Sequence, residues 1–180
     1  ASHFSWFNDK ELVLWGRSES IAVSLYKNNL VRKILVPIYH KFIHSSKLRQ
    51  KISGDSFIRF HTDFIFRREK IGDGILTEDG HISFSPDKNW LLTDTFDSKN
   101  HKRGLILYNF NSKKKIDIGP FYTLPKDTTR IDWDSSNLRC DLHPRWHRDG
   151  TQICFDSVHE GSRQMYVFDV ADILNENGKN

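Results

Sequence analysis

The chain has 180 residues with 13 Phe, 5 Trp and 5 Tyr, which suits one domain built on stacked sheets. Its net charge of +4 is modest and dispersed, apart from Lys113-Lys114-Lys115 and the stretch around Arg32 to Lys51, so nothing demands nucleic acid. Two cysteines, Cys140 and Cys154, are too few for a disulfide framework, and no signal peptide or membrane-spanning run is visible, which leaves the compartment open.

In chain order, the first unit opens on His3-Phe4-Ser5-Trp6-Phe7-Asn8-Asp9, turns at Lys10-Glu11 and runs apolar through Leu12-Val13-Leu14-Trp15. Residues 28 to 51 follow with Leu30, Val31, Ile34, Leu35, Ile38, Phe42 and Ile43 at helical spacing among basic residues. That pattern predicts a basic amphipathic helix, kinked or restarted at Pro37 and inserted into the first blade with its apolar stripe packed back on the domain rather than on a membrane. Ser56-Phe57-Ile58-Arg59-Phe60 and Arg68-Glu69-Lys70-Ile71-Gly72 then read as two further strands.

The second unit opens on His81-Ile82-Ser83-Phe84-Ser85-Pro86-Asp87, continues through Trp90-Leu91-Leu92, and adds strands around residues 104 to 110 and 115 to 119. The third opens on His143-Pro144-Arg145-Trp146-His147-Arg148-Asp149, continues through Ile153-Cys154-Phe155, and adds a strand at residues 164 to 170. In all three, an aromatic stands three residues after the histidine and an aspartate six after it. Self-similar units of short strands at such a period are the signature of propeller blades, which bury their faces only against neighbours.

The predicted fold is therefore all-β, a single partial β-propeller of about three four-stranded blades. Blade 1 covers about residues 1–72 with the helical insertion at 28–51, blade 2 about 73–135 and blade 3 about 136–174, with 175–180 as a tail. Three blades do not close a ring of four to eight. The start in mid-phrase at Ala1-Ser2-His3 suggests a portion of a longer chain, and the alternative is a ring completed by self-association of two halves through sheet edges.

If each phrase opens the innermost strand of its blade, His3, His81 and His143 take equivalent places around one axis. Three converging imidazoles suit a divalent metal such as manganese, zinc or iron. The alternative is structural: each ring bonds a backbone carbonyl or a turn aspartate. Asp79 and Asp141 both lie two residues before a histidine, where a carboxylate could orient the imidazole, add a ligand, hold a sugar hydroxyl or cap a turn. Arg139 and Arg145 are the candidates for gripping an anionic ligand in two-point fashion. Asp94 and Asp156 share one offset after their histidines and are expected to face His81 and His143 across the hairpins.

The phrases Asp79-Gly80-His81-Ile82-Ser83-Phe84-Ser85-Pro86-Asp87 and Asp141-Leu142-His143-Pro144-Arg145-Trp146 resemble the C-terminal blades of bacterial TolB-like propellers. So do Phe155-Asp156-Ser157 and Arg163-Gln164-Met165-Tyr166-Val167, and the likeness is narrowest toward the branch that includes oligogalacturonate lyases. It covers about residues 73 to 172. In that branch channel histidines and a glutamine hold manganese, so the resemblance implies a metal role for His3, His81 and His143 and a carboxylate-binding role for Arg139 or Arg145. Gln152 and Gln164 fall on predicted strands rather than beside those histidines. The leading expectation is thus a non-catalytic propeller module that binds a glycan or protein partner through its channel mouth and loops. The alternative is a metal-assisted lyase acting by β-elimination on acidic oligosaccharides.

Overall fold

The computed structural model describes residues 3–17, 33, 50, 54–61, 68–95, 100–123 and 140–178. They form three antiparallel sheets and one terminal helix, so the described fold is all-β in its framework. The chain divides into two compact units, residues 1–79 and 80–180.

The first unit holds one four-stranded meander of β1 (Phe4–Trp6), β2 (Glu11–Arg17), β3 (Asp55–His61) and β4 (Arg68–Ile71), hydrogen-bonded in that order. Val13 and Phe57 are fully buried, and Phe57 meets Trp15 edge-on at 4.8 Å between ring centres. The predicted helix at 28–51 lies outside the described residues except for Lys33 and Gln50, both of which are helical. Gln50 is buried and donates from Nε2 to the Leu76 carbonyl at 2.9 Å.

The second unit holds two sheets. One is a four-stranded meander of β5 (Ile82–Phe84), β6 (Trp90–Asp94), β7 (Lys102–Asn109) and β8 (Lys115–Tyr122). The other has three strands, β9 (Arg145–Trp146), β10 (Gln152–Ser157) and β11 (Gln164–Asp169), with β10 in the middle. Among the described residues the third sheet has three strands rather than the expected four, and β11 is followed at once by helix α1 (Ala171–Gly178). The expected tail at 175–180 is in part this helix. Asp169 caps it, accepting the Ala171 N–H at 2.9 Å on Oδ1, and Ile173 and Leu174 pack on the core.

That core lies between the two sheets. Strand alternation puts Leu92, Leu105 and Leu107 of the four-stranded sheet on one side, against Ile153 and Phe155 of the other, with Leu142, Trp90 and Val170 completing the cluster. All but Trp90 and Phe155 are fully buried. At about 1.5–3 kcal/mol per buried large side chain, this layer dominates the unit's stability.

The second and third hairpin turns are closed by their aspartates, whereas in the first Asn8 takes that part, its Oδ1 accepting the Lys10 N–H at 2.9 Å. Asp87 Oδ1 accepts from Ser85 Oγ at 2.6 Å and the Asn89 N–H at 3.0 Å, with Lys88 in the left-handed region at φ 61°. Asp149 Oδ1 accepts from Thr151 N at 2.9 Å and Thr151 Oγ1 at 2.8 Å, with Gly150 at φ 78°. The shared aspartate six residues after each histidine is a turn residue, which leaves the chemistry to the other end of the hairpin.

Candidate functional site

At that other end, His81 precedes β5 and Asp94 ends β6, where the register Ile82 opposite Thr93 brings them together. Asp94 is fully buried. Its Oδ1 accepts the His81 backbone N–H at 2.6 Å and its Oδ2 accepts from His81 Nδ1 at 2.9 Å. Oδ2 also receives the His143 backbone N–H at 3.3 Å. One buried carboxylate thus ties the opening histidines of two sheets, and its charge is balanced by N–H donors rather than left bare.

Two local features make this approach feasible. Gly80 leaves room for Asp94, since a Cβ there would run into the Asp94 carbonyl oxygen and Thr93 Oγ1. His143 sits at φ 42°, a left-handed conformation rare for a residue with a side chain and concentrated at functional positions. Its Nδ1 donates to the Asp141 carbonyl at 3.0 Å. A carbonyl oxygen only accepts, so Nδ1 carries a proton, and in the neutral ring the lone pair is on Nε2. His81, donating from Nδ1 to a carboxylate, has the same tautomer. The two rings lie 4.0 Å apart between centroids at 48°.

Asp141 adds a carboxylate. Donor atoms of His81, Asp141 and His143 all lie within 4.8 Å of one another, and all three residues are half-buried. Two ligands of one ion at about 2.1 Å can stand at most about 4.2 Å apart, so a small inward adjustment would bring this N, N, O set to coordinating distance. Arg103, from β7, places a guanidinium nitrogen 2.7 Å from Asp141 Oδ1, with both side chains largely shielded. Sequence reasoning missed Arg103. Its signal is its phase: it stands two residues before Leu105 and four before Leu107, on a strand whose alternate residues face the core, although a register shift between Arg103 and Leu105 interrupts the ladder.

The other expected site residues take different places. His3 and Asp79 belong to the first unit, where His3 Nδ1 meets Asp79 Oδ1 at 2.8 Å. Arg139 lies outside the described residues. Arg145 is exposed on β9 and donates from Nη1 to the neighbouring Pro144 carbonyl at 2.8 Å. Asp94 faces His81 as expected, but Asp156 does not face His143. It pairs instead with Arg163 at 2.9 Å, because His143 has turned its ring to the Asp141 carbonyl and its backbone to Asp94. The carboxylate holds the Arg163 guanidinium above its ordinary pKa. Beside them, burial pushes the Cys140 thiol up, as befits a small apolar residue rather than a reactive thiolate.

No family profile and no curated protein matches this sequence. Among solved structures it is similar to TolB from Acinetobacter baumannii, with a TM-score of 0.43 and 20% identity over 64% of this chain and 24% of that one. It is also similar to a protein assigned as TolB from Agrobacterium tumefaciens, with a TM-score of 0.43 and 13% identity over 64% of this chain and 34% of that one. The chain thus spans well under half the length of either.

Proposed function

We propose that this chain is part of a β-propeller-type module that binds an acidic oligosaccharide, without catalysis, at the cluster of His81, His143, Asp141 and Arg103. Support for the propeller architecture comes from the repeat itself. Three antiparallel sheets each begin just after a histidine of the same phrase, and two of them pack face to face through alternate residues of their strands.

The observation that carries the binding reading is Asp94. A buried carboxylate that spends its hydrogen bonds on the His81 imidazole and on the backbone N–H groups of His81 and His143 is a support for groups that act outward. The Nε2 lone pairs accept hydroxyl protons, the Asp141 carboxylate accepts more, and the Arg103 guanidinium attracts a carboxylate. Hydroxyls beside a carboxylate describe a uronate sugar better than a neutral one. An acidic side chain of a protein partner would use the same guanidinium but leave the two imidazole acceptors unused, which makes it the weaker fit.

Calorimetric titration with a galacturonate oligomer and a neutral oligosaccharide of equal length tests this. The acidic ligand should bind, more weakly as salt rises, and the His81→Ala/His143→Ala double variant should lose at least tenfold in affinity. Equal binding of the neutral sugar, or none of either, would remove the proposal.

A second reading is favoured by one observation, the three donors within 4.8 Å. His81, His143 and Asp141 would hold a divalent manganese, zinc or iron ion, with Asp94 and the Asp141 carbonyl orienting the two imidazoles. Such an ion supplies Lewis-acid neutralisation of a substrate carboxylate, the help that β-elimination from a uronate requires. Elemental analysis after dialysis decides: one ion per chain, absent from the double variant, favours the metal reading, and ultraviolet absorbance of unsaturated uronate products then separates lyase from binding module. No ion in either protein leaves the metal-free module.

A further inference from the structure

The three sheets treat their outer edges differently. The first sheet ends on β4, whose Arg68, Glu69 and Lys70 are all exposed charges. The second ends on β8, which begins at Lys115, carries Pro120 and pairs through a register irregularity at Arg103/Leu105. Charges, proline and bulges are the usual ways of blunting a sheet edge against further pairing. The third sheet ends on β11, Gln164-Met165-Tyr166-Val167-Phe168-Asp169, which has no proline and no basic residue and carries its single charge at the last position.

Its apolar side chains are also uncovered. Counted from His81 and His143, Leu92 and Cys154 hold the same place. Their cross-strand partners are Leu107 and Val167, so Leu107 corresponds to Val167 and Leu105 to Met165. Leu105 and Leu107 are fully buried, whereas Met165 is 72% and Val167 66% exposed. A six-residue strand with four apolar residues, Met165 to Phe168, is therefore presented on the side where the second sheet has its fourth strand.

We infer that β11 is a self-association edge, and that its occupant is β11 of a second copy of this chain, paired antiparallel about a two-fold axis normal to the sheet. Such an axis keeps each residue on its own face, so opposed residues must share a parity. The register that meets this with Tyr166 opposite its own equivalent places Met165 opposite Val167 twice and Gln164 opposite Phe168. No like charges meet, and Asp169 falls outside the pairs. Cross-strand pairs of this kind are the unit of sheet stabilisation. The alternative register, centred on Val167, sets Met165 against Asp169 and is disfavoured. The inference does not depend on the ligand reading of the histidine cluster, which lies off this edge strand.

Light scattering across a concentration series, with Val167→Lys beside the wild type, is the first test. The side chain is exposed, so the lysine leaves the fold intact, which circular dichroism verifies. Wild type should pass from monomer to dimer as concentration rises, and V167K should remain a monomer. A second variant fixes the register in a Cys154→Ser background, which removes the thiol directly across from residue 167: Met165→Cys/Val167→Cys should give a covalent dimer on mild oxidation, and Val167→Cys alone should not, because Val167 faces Met165 of the second copy and not itself. A monomeric wild type at its highest soluble concentration, a V167K dimer of unchanged affinity, or equal cross-linking of the double and single cysteine variants would each overturn the inference.

Discussion

The hairpins after His81 and His143 are spelled alike, yet one is held by a buried carboxylate and the other by an exposed ion pair. Asp94 and Asp156 sit at the same offset from their histidines. Asp94 is fully buried and binds His81 twice and His143 once, whereas Asp156 pairs with Arg163, itself half-exposed. Position in the repeat brings both carboxylates to the mouth of a hairpin. The neighbouring chain then decides which becomes structural: Gly80 lets the backbone close on Asp94, while the equivalent place before His143 carries Leu142, which goes into the core.

The largest expected effect is on this pair. Asp94→Ala strips acceptors from three N–H groups around His81 and His143 and should cost about 4 kcal/mol in urea unfolding, since each orphaned buried donor costs about 1–3 kcal/mol. Asp156→Ala removes an exposed pair and should cost less than about 0.5 kcal/mol. Similar costs for the two would erase the distinction between them.

A smaller effect separates the two sheets as wholes. Leu107 and Val167 are equivalent positions, one in the layer between the sheets and the other on the open edge strand. Leu107→Ala should cost about 3 kcal/mol, within the range for a large-to-small change in a closed core. Val167→Ala should fall within about 0.5 kcal/mol of wild type when measured at monomeric dilution. A cost of more than about 1 kcal/mol for Val167→Ala under those conditions would mean that this face is covered within one chain.

These contrasts also mark what can be read from the sequence. The histidine phrase locates every first strand, the turn aspartates and the partnership of His81 with Asp94, because all are set by short spacings inside one hairpin. The site's remaining members are not local. Arg103 reaches Asp141 from a strand that follows a separate turn, and its charge reads as a solvated strand end until Leu105 and Leu107 are known to face the third sheet. The bond from His143 N to Asp94 joins residues 49 apart in sequence. The left-handed turn at His143 that permits it has no glycine to announce it. The final helix was obscured for a different reason: Asp169 ends a strand and caps a helix at once, so the change of period falls on a single residue.

The smallest effect concerns the far ends of the same hairpins, where Asp87 and Asp149 close equivalent turns. For Asp87, burial pushes the carboxyl up, but the hydrogen bonds from Ser85 and Asn89 outweigh it and the net direction is down from 3.8. For Asp149, the Thr151 N–H, the His147 side chain and the Thr151 hydroxyl act almost unopposed, and the carboxyl falls from 3.8 to about 2. Both are carboxylates with depressed folded-state values. Their contribution to stability is therefore complete above the ordinary carboxylate range and is lost as pH falls through the folded value, which for Asp149 means between about 4 and about 2. In an NMR acid titration the Thr151 amide should keep its carboxylate-bound shift until about pH 2. The Asn89 amide should let go first, because burial works against the same hydrogen bonds at Asp87. A Thr151 amide that moves with the ordinary midpoint of 3.8 would show that the exposed turn is not closed by Asp149. The reverse order of the two amides would show that burial at Asp87 is not the opposing effect.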